Sequence, residues 1–90
     1  MPQAIVDPKD VERFARELKQ FNNETRNRMK RLQGQFGRLG ETWRDQENKK
    51  FAQEFEQTMR VMNNFLNTAD THIPFLLRKA QKAREYLNQR

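Results

Sequence analysis

Residues 34–45 read Gly34-Gln35-Phe36-Gly37-Arg38-Leu39-Gly40-Glu41-Thr42-Trp43-Arg44-Asp45, and they hold all three glycines and the one tryptophan of the 90-residue chain. Glycine inside a helix costs roughly 1 kcal/mol against alanine. Three at three-residue spacing weaken a helix end and permit close packing or a stop. The stretch is therefore read as a turn at about residues 39–45. Thr42 or Asp45 can cap the element that follows, and Thr42-Trp43-Arg44-Asp45 is a capping-box variant.

Both flanks are helical in pattern. Asp7-Pro8-Lys9-Asp10 is a helix start: Asp7 can cap free backbone N–H groups, Pro8 suits the first helical position, and Asp10 favours the positive end of the dipole. From there Val11, Phe14, Leu18, Phe21, Thr25, Met29, Leu32, Phe36 and Leu39 recur every three or four residues, a coiled-coil-like seam. After the turn the stripe is Phe51, Phe55, Thr58, Met62, Phe65, Ala69, Ile73, Leu76, Ala80, Ala83 and Leu87, widened by Met59 and Leu66. Pro74 interrupts it by removing a hydrogen bond and crowding the preceding turn. The stripe keeps phase, so a kink near Pro74 is expected. The alternative is a break, with Thr71 capping a separate short helix.

The fold class is all-α: an antiparallel hairpin with helices at about 8–38 and 46–88 in a single domain. Phe14, Leu18, Phe21, Leu32, Phe36, Phe51, Phe55, Met62 and Phe65 are assigned to its core or to a dimer contact. Seven phenylalanines are more aromatic surface than two helices can hide. Pairing two hairpins into a four-helix bundle would bury the remainder.

Composition narrows the function. Hydrophobic residues make up 34% of the chain, below the usual share of about 45–50%, so the core is thin and a partner is expected to add stability. With no cysteine and one histidine, thiolate sites, disulfides and histidine metal clusters are excluded. No cofactor or metal is expected. The charges Asp45, Glu47, Glu54 and Glu56 read as a solvated face, and His72 as a surface or partly packed residue. No catalytic site is assigned. No apolar run approaches the roughly 18 residues of a membrane span. Met1 to Asp7 has no basic or long apolar stretch, so no cleaved signal peptide is expected. A cytoplasmic location follows as an expectation.

The charge is +6 overall, with the excess in residues 1–40 and 75–90. Arg26, Arg28, Lys30 and Arg31 form one cluster, and Arg78, Lys79, Lys82 and Arg84 another. In a hairpin these two arms are expected to lie side by side, away from the turn. Arg78, Lys79 and Lys82 are candidate phosphate contacts. A small basic nucleic-acid-associated protein is accordingly the alternative reading. Against it stands a plain role in solubility and in complementing a helix C-terminus.

Trp43 sits in the turn and not in a seam. It reads either as an aromatic closing the end of the bundle or as part of a recognition surface. With Leu39-Gly40-Glu41-Thr42-Trp43-Arg44-Asp45, and with Phe51 eight residues beyond the tryptophan, the chain resembles the Trp-X-Gly family of small helical hairpins. These are substrates and partners of the type VII (ESX) secretion system. The resemblance implies a non-enzymatic protein, a homodimer or a heterodimer with a related hairpin, recognised in folded form by secretion machinery. Trp43, Arg44 and Asp45 would form the turn recognition motif, and export would need no cleaved signal peptide. Two positions depart from the family pattern. Asp45 stands where the family has glycine, and Arg90 stands where its Tyr-x-x-x-Asp/Glu export signal, aligned on Tyr86, has an acid.

Overall fold

The computed structural model describes residues 6–88, which form two helices: α1, Pro8–Leu39, and α2, Gln46–Asn88. Asp7 stands at the N-cap of α1 in extended conformation, and its carboxylate accepts from the Lys9 amide at 2.9 Å. Pro8 follows in the first turn, where its missing N–H is no loss. Arg38 stands in the last turn, at the negative end of the dipole.

The turn is made without left-handed backbone. Gly40, the C-cap, has φ −65° and ψ −13°, and no described glycine has positive φ. A run of tight bonds winds down the last carbonyls of α1: Gly40 N–H to Phe36 at 3.2 Å, Glu41 to Arg38 at 3.1 Å and Trp43 to Leu39 at 2.9 Å. The conformational freedom of glycine is therefore unused here, and only its lack of a side chain bears on the helix end.

α2 passes through Pro74 as one helix. Thr71 does not begin a separate element; its Oγ1 donates to the Thr68 carbonyl at 2.6 Å.

The two helices pack only against each other, giving a rod of 69 × 22 × 14 Å. Its radius of gyration is 20.3 Å, against about 12 Å for a compact chain of this length. The interior is one seam. Met29, Met59 and Leu66 are buried at its centre, with Phe55 and Met62 packed against them. Toward the open end the buried apolar residues shrink to Ala15, Ala80 and Ala83.

The seam is offset from the one expected. On α1 the buried positions are Pro8, Ala15, Asn22 and Met29, seven residues apart. Phe14 and Phe21 each sit one residue before a buried one, about 100° away around the helix, and are more than half exposed, at 57% and 55%. On α2, Met59 and Leu66 hold the centre, while Phe65 is 60% exposed. Leu32 and Phe51 are also exposed; Leu18, Phe36, Phe55 and Met62 are half-buried. As the core of a single hairpin, the assignment of Phe14, Phe21, Leu32, Phe51 and Phe65 is thus corrected. The physical reason is room: two helices side by side touch along a strip about one residue wide, and small or flexible side chains fill it.

Candidate functional site

The turn end is an aromatic cluster. Phe36 of α1 meets Phe51 and Phe55 of α2 with ring centroids 5.5 and 5.0 Å apart, and Phe51 lies 6.0 Å from Phe55. Trp43 extends the cluster outward, 6.4 Å from Phe51, and is half-buried. It covers the end of the hairpin while keeping part of its ring open to solvent. Beside it, Arg44 turns back to donate from Nε to the Gly40 carbonyl at 3.2 Å. Asp45 begins α2: its Oδ1 accepts from the Asn48 amide at 3.1 Å, and its carbonyl from Lys49 at 3.3 Å. An acidic cap uses free N–H groups that a glycine would leave to water.

Between the helices, polar pins sit on one side only. Asn22 is fully buried, and its Nδ2 donates to Asp70 Oδ1 at 2.8 Å. Arg26 donates to Asp70 Oδ2 at 2.6 Å and to Asn67 at 3.1 Å. Nearer the open end, Arg84 grips Glu12 with two bonds, 2.9 and 3.2 Å. Asn22, first, and Arg26 hold the Asp70 carboxyl below the usual aspartate range. None of these cross-helix pairs was read from the sequence. Their partners lie 41 to 72 residues apart, beyond any helical spacing signal.

The other side is apolar. Phe21, Thr25, Val61, Met62, Phe65 and Leu66 line an open, largely apolar groove of about 320 Å³. Farther toward the open end, Val11, Phe14 and Leu76 line a second groove of about 360 Å³ with Val6, Asp7 and Asp10. So the structure does bring Phe14, Phe21 and Phe65 to one side of the rod, as a surface.

The basic clusters do not lie side by side. Arg26 is level with Asp70, and Glu12 with Arg84. Residues 78–84 therefore face the start of α1, about 13 residues or 20 Å from residues 26–31. Arg26 and Arg84 are also engaged by carboxylates. A continuous phosphate track along both arms is not formed, and the nucleic-acid reading loses its footing. Arg78, Lys79 and Lys82 remain exposed. Among the described residues no group of acids and histidines could hold a metal, and no helix is long and apolar enough to cross a membrane. Arg90 lies outside the described residues.

Residues 3–86 match the family model described as WXG100, proteins of 100 residues with WXG. The chain is similar to the crystal structure of the secreted protein EsxB from Bacillus anthracis strain Sterne, with 27% identity and a TM-score of 0.77, covering 98% of this chain and all of that one. It is similarly close to the E54Q mutant of EsxB, at 26% identity and a TM-score of 0.73, covering 100% of this chain and 99% of that one. Among curated proteins none matches.

Proposed function

Since the chain belongs to the WXG100 family and is a helical hairpin related to type VII secretion, we propose that it acts as a secretion substrate, or as the partner of one, recognised as a folded dimer. Its role is to present surfaces and not to catalyse. The observation that carries this reading is the unsatisfied surface. The hairpin exposes 7688 Å², against about 5600 Å² for a folded monomer of its mass. The excess of roughly 2100 Å² exceeds the ~800 Å² that each partner gives to a standard interface. The apolar side holding Phe14, Phe21, Val61 and Phe65 supplies the area whose burial is most favourable.

The partner is a second hairpin, this chain or a related one, laid against that side to complete four helices. Trp43, with Arg44 and Asp45, forms the turn part of the recognition surface.

Sedimentation equilibrium tests the dimer. A mass near twice 10.9 kDa, or a pair with a co-expressed hairpin, is expected, and Phe21→Glu should return it to one chain with helicity retained. A well-folded wild-type monomer at micromolar concentration, with or without related hairpins, overturns the reading.

A further inference from the structure

The last third of α2 carries a surface that neither the hairpin nor the turn motif uses. Phe75, Arg78 and Lys82 each stand two residues beyond a position turned toward α1, namely Ile73, Leu76 and Ala80. Two residues are about 200° of helix, so the three point away from α1. Lys79 and Tyr86 flank them at helical spacing. Phe75 is 64% exposed and Tyr86 62%. Among the described residues, no carboxylate lies within ion-pair distance of Arg78, Lys79 or Lys82, although Arg84 in the same stretch is paired. The Arg78 guanidinium lies over the Phe75 ring, 4.8 Å from its centroid.

We propose that the Phe75–Tyr86 stripe is a docking surface for an anionic lipid bilayer, on which α2 lies flat. Charge complementarity selects an anion: three unpaired cations lie within about 6 Å of helix, in a stripe about 16 Å long from Phe75 to Tyr86. The interleaved rings then select among anionic surfaces. Phe75 and Tyr86 place aromatic rings beside the cations, the arrangement that sits at a headgroup boundary, rings toward the acyl chains and cations on phosphates. A nucleic acid would instead stack its bases on an open aromatic face, and Arg78 already covers a face of Phe75. The proposal rests on the exposure of these side chains and not on the secretion reading.

The test is co-sedimentation of the full chain with phosphatidylcholine vesicles carrying about one-third phosphatidylserine, at about 0.1 M salt. Binding is expected there, not to pure phosphatidylcholine, and it should be lost near 0.5 M salt. Each cation contributes about fivefold. The triple variant Arg78→Gln, Lys79→Gln, Lys82→Gln should therefore weaken binding about a hundredfold. A control triple, Lys30→Gln, Arg31→Gln, Arg38→Gln, has the same net charge and should stay within about fivefold. Phe75→Gln should weaken binding at unchanged charge. Glutamine is a good helix former, and circular dichroism confirms that each variant is folded. Three results overturn the proposal: no binding to the anionic vesicles, equal loss in both triples, or tighter binding to a duplex or single-stranded oligonucleotide that the first triple abolishes.

Discussion

Asn22 Nδ2 donates to Asp70 Oδ1 at 2.8 Å across the middle of the hairpin, while the Oδ1 of the same buried amide has no partner. Turning the amide over would not help, because the carboxylate needs a donor. The pair thus fixes which residues of α1 and α2 stand level, at the cost of one stranded acceptor, much as a buried polar residue sets register in coiled coils.

Removing the carboxylate should strand the whole amide. Asp70→Ala is expected to destabilise the hairpin by about 1–3 kcal/mol. Adding Asn22→Leu should recover part of the loss, since the buried amide is then gone while Arg26 still lacks its carboxylate. Urea melts of both single variants and the double give the coupling directly.

The pair also makes stability depend on acid. The folded Asp70 carboxyl titrates below its ordinary value of 3.8, chiefly because Asn22 and Arg26 donate to it. Its contribution is therefore complete above that value and is lost as pH falls through the lower, folded one. Thermal melts between about pH 2 and 5 should show wild type losing stability more steeply than Asp70→Asn, with the two curves parallel above that range. Parallel curves throughout would remove Asp70 as the source.

Gly34 and Gly37 offer a gain. Both lie inside α1 without positive φ, and a Cβ at either would meet nothing within 4 Å. Gly34→Ala and Gly37→Ala should each stabilise the chain by about 0.5–1 kcal/mol. At Gly40 the added carbon would sit 3.3 Å from the Gly37 carbonyl oxygen, so less gain is expected there. Differential scanning calorimetry ranks the three.

At the turn, capping and recognition can be separated. Asp45→Ala should cost about 0.5–2 kcal/mol, and Asp45→Gly, the residue of the family pattern, only slightly less than wild type by a few tenths. Asp45 also belongs to the turn motif, so these two variants report on stability, and recognition is read at Trp43. Trp43→Ala should weaken partner binding or secretion while helicity and dimer mass persist. If it unfolds the chain as a core truncation does, Trp43 serves packing alone.

The two apolar stripes should behave differently on truncation. Leu66→Ala removes a buried side chain and should cost about 2–5 kcal/mol by denaturant unfolding. Phe65→Ser, on the neighbouring exposed position, should leave the helices formed and act on association, seen as a lower sedimenting mass.

Much of this architecture is legible in the residues. Asp7-Pro8 marks one helix start, the glycines and Trp43 mark the turn, and the spacing of the apolar residues gives the helical period. The choice between adjacent stripes is not legible. Phe14 and Ala15, or Phe65 and Leu66, repeat with one period, and size alone favours the phenylalanine for the interior. What decides is the closeness of two helices with no third layer. The pins are hidden for another reason. Asn22, Arg26 and Asp70 become neighbours only once the register is known, and the register depends partly on them.

The slender cross-section has a consequence for transit. The rod is 69 Å long but only 22 × 14 Å across its Cα atoms. Side chains add about 3 Å beyond the Cα atoms on each side, so one hairpin spans roughly 28 × 20 Å, and a second laid against it at about 10 Å makes a bundle roughly 30 Å square. Travelling end-on, a folded pair would need an aperture of about 30–40 Å, set by helix diameter and not by chain length. Lengthening either helix would leave that clearance unchanged, whereas a loop bulging from the side would not.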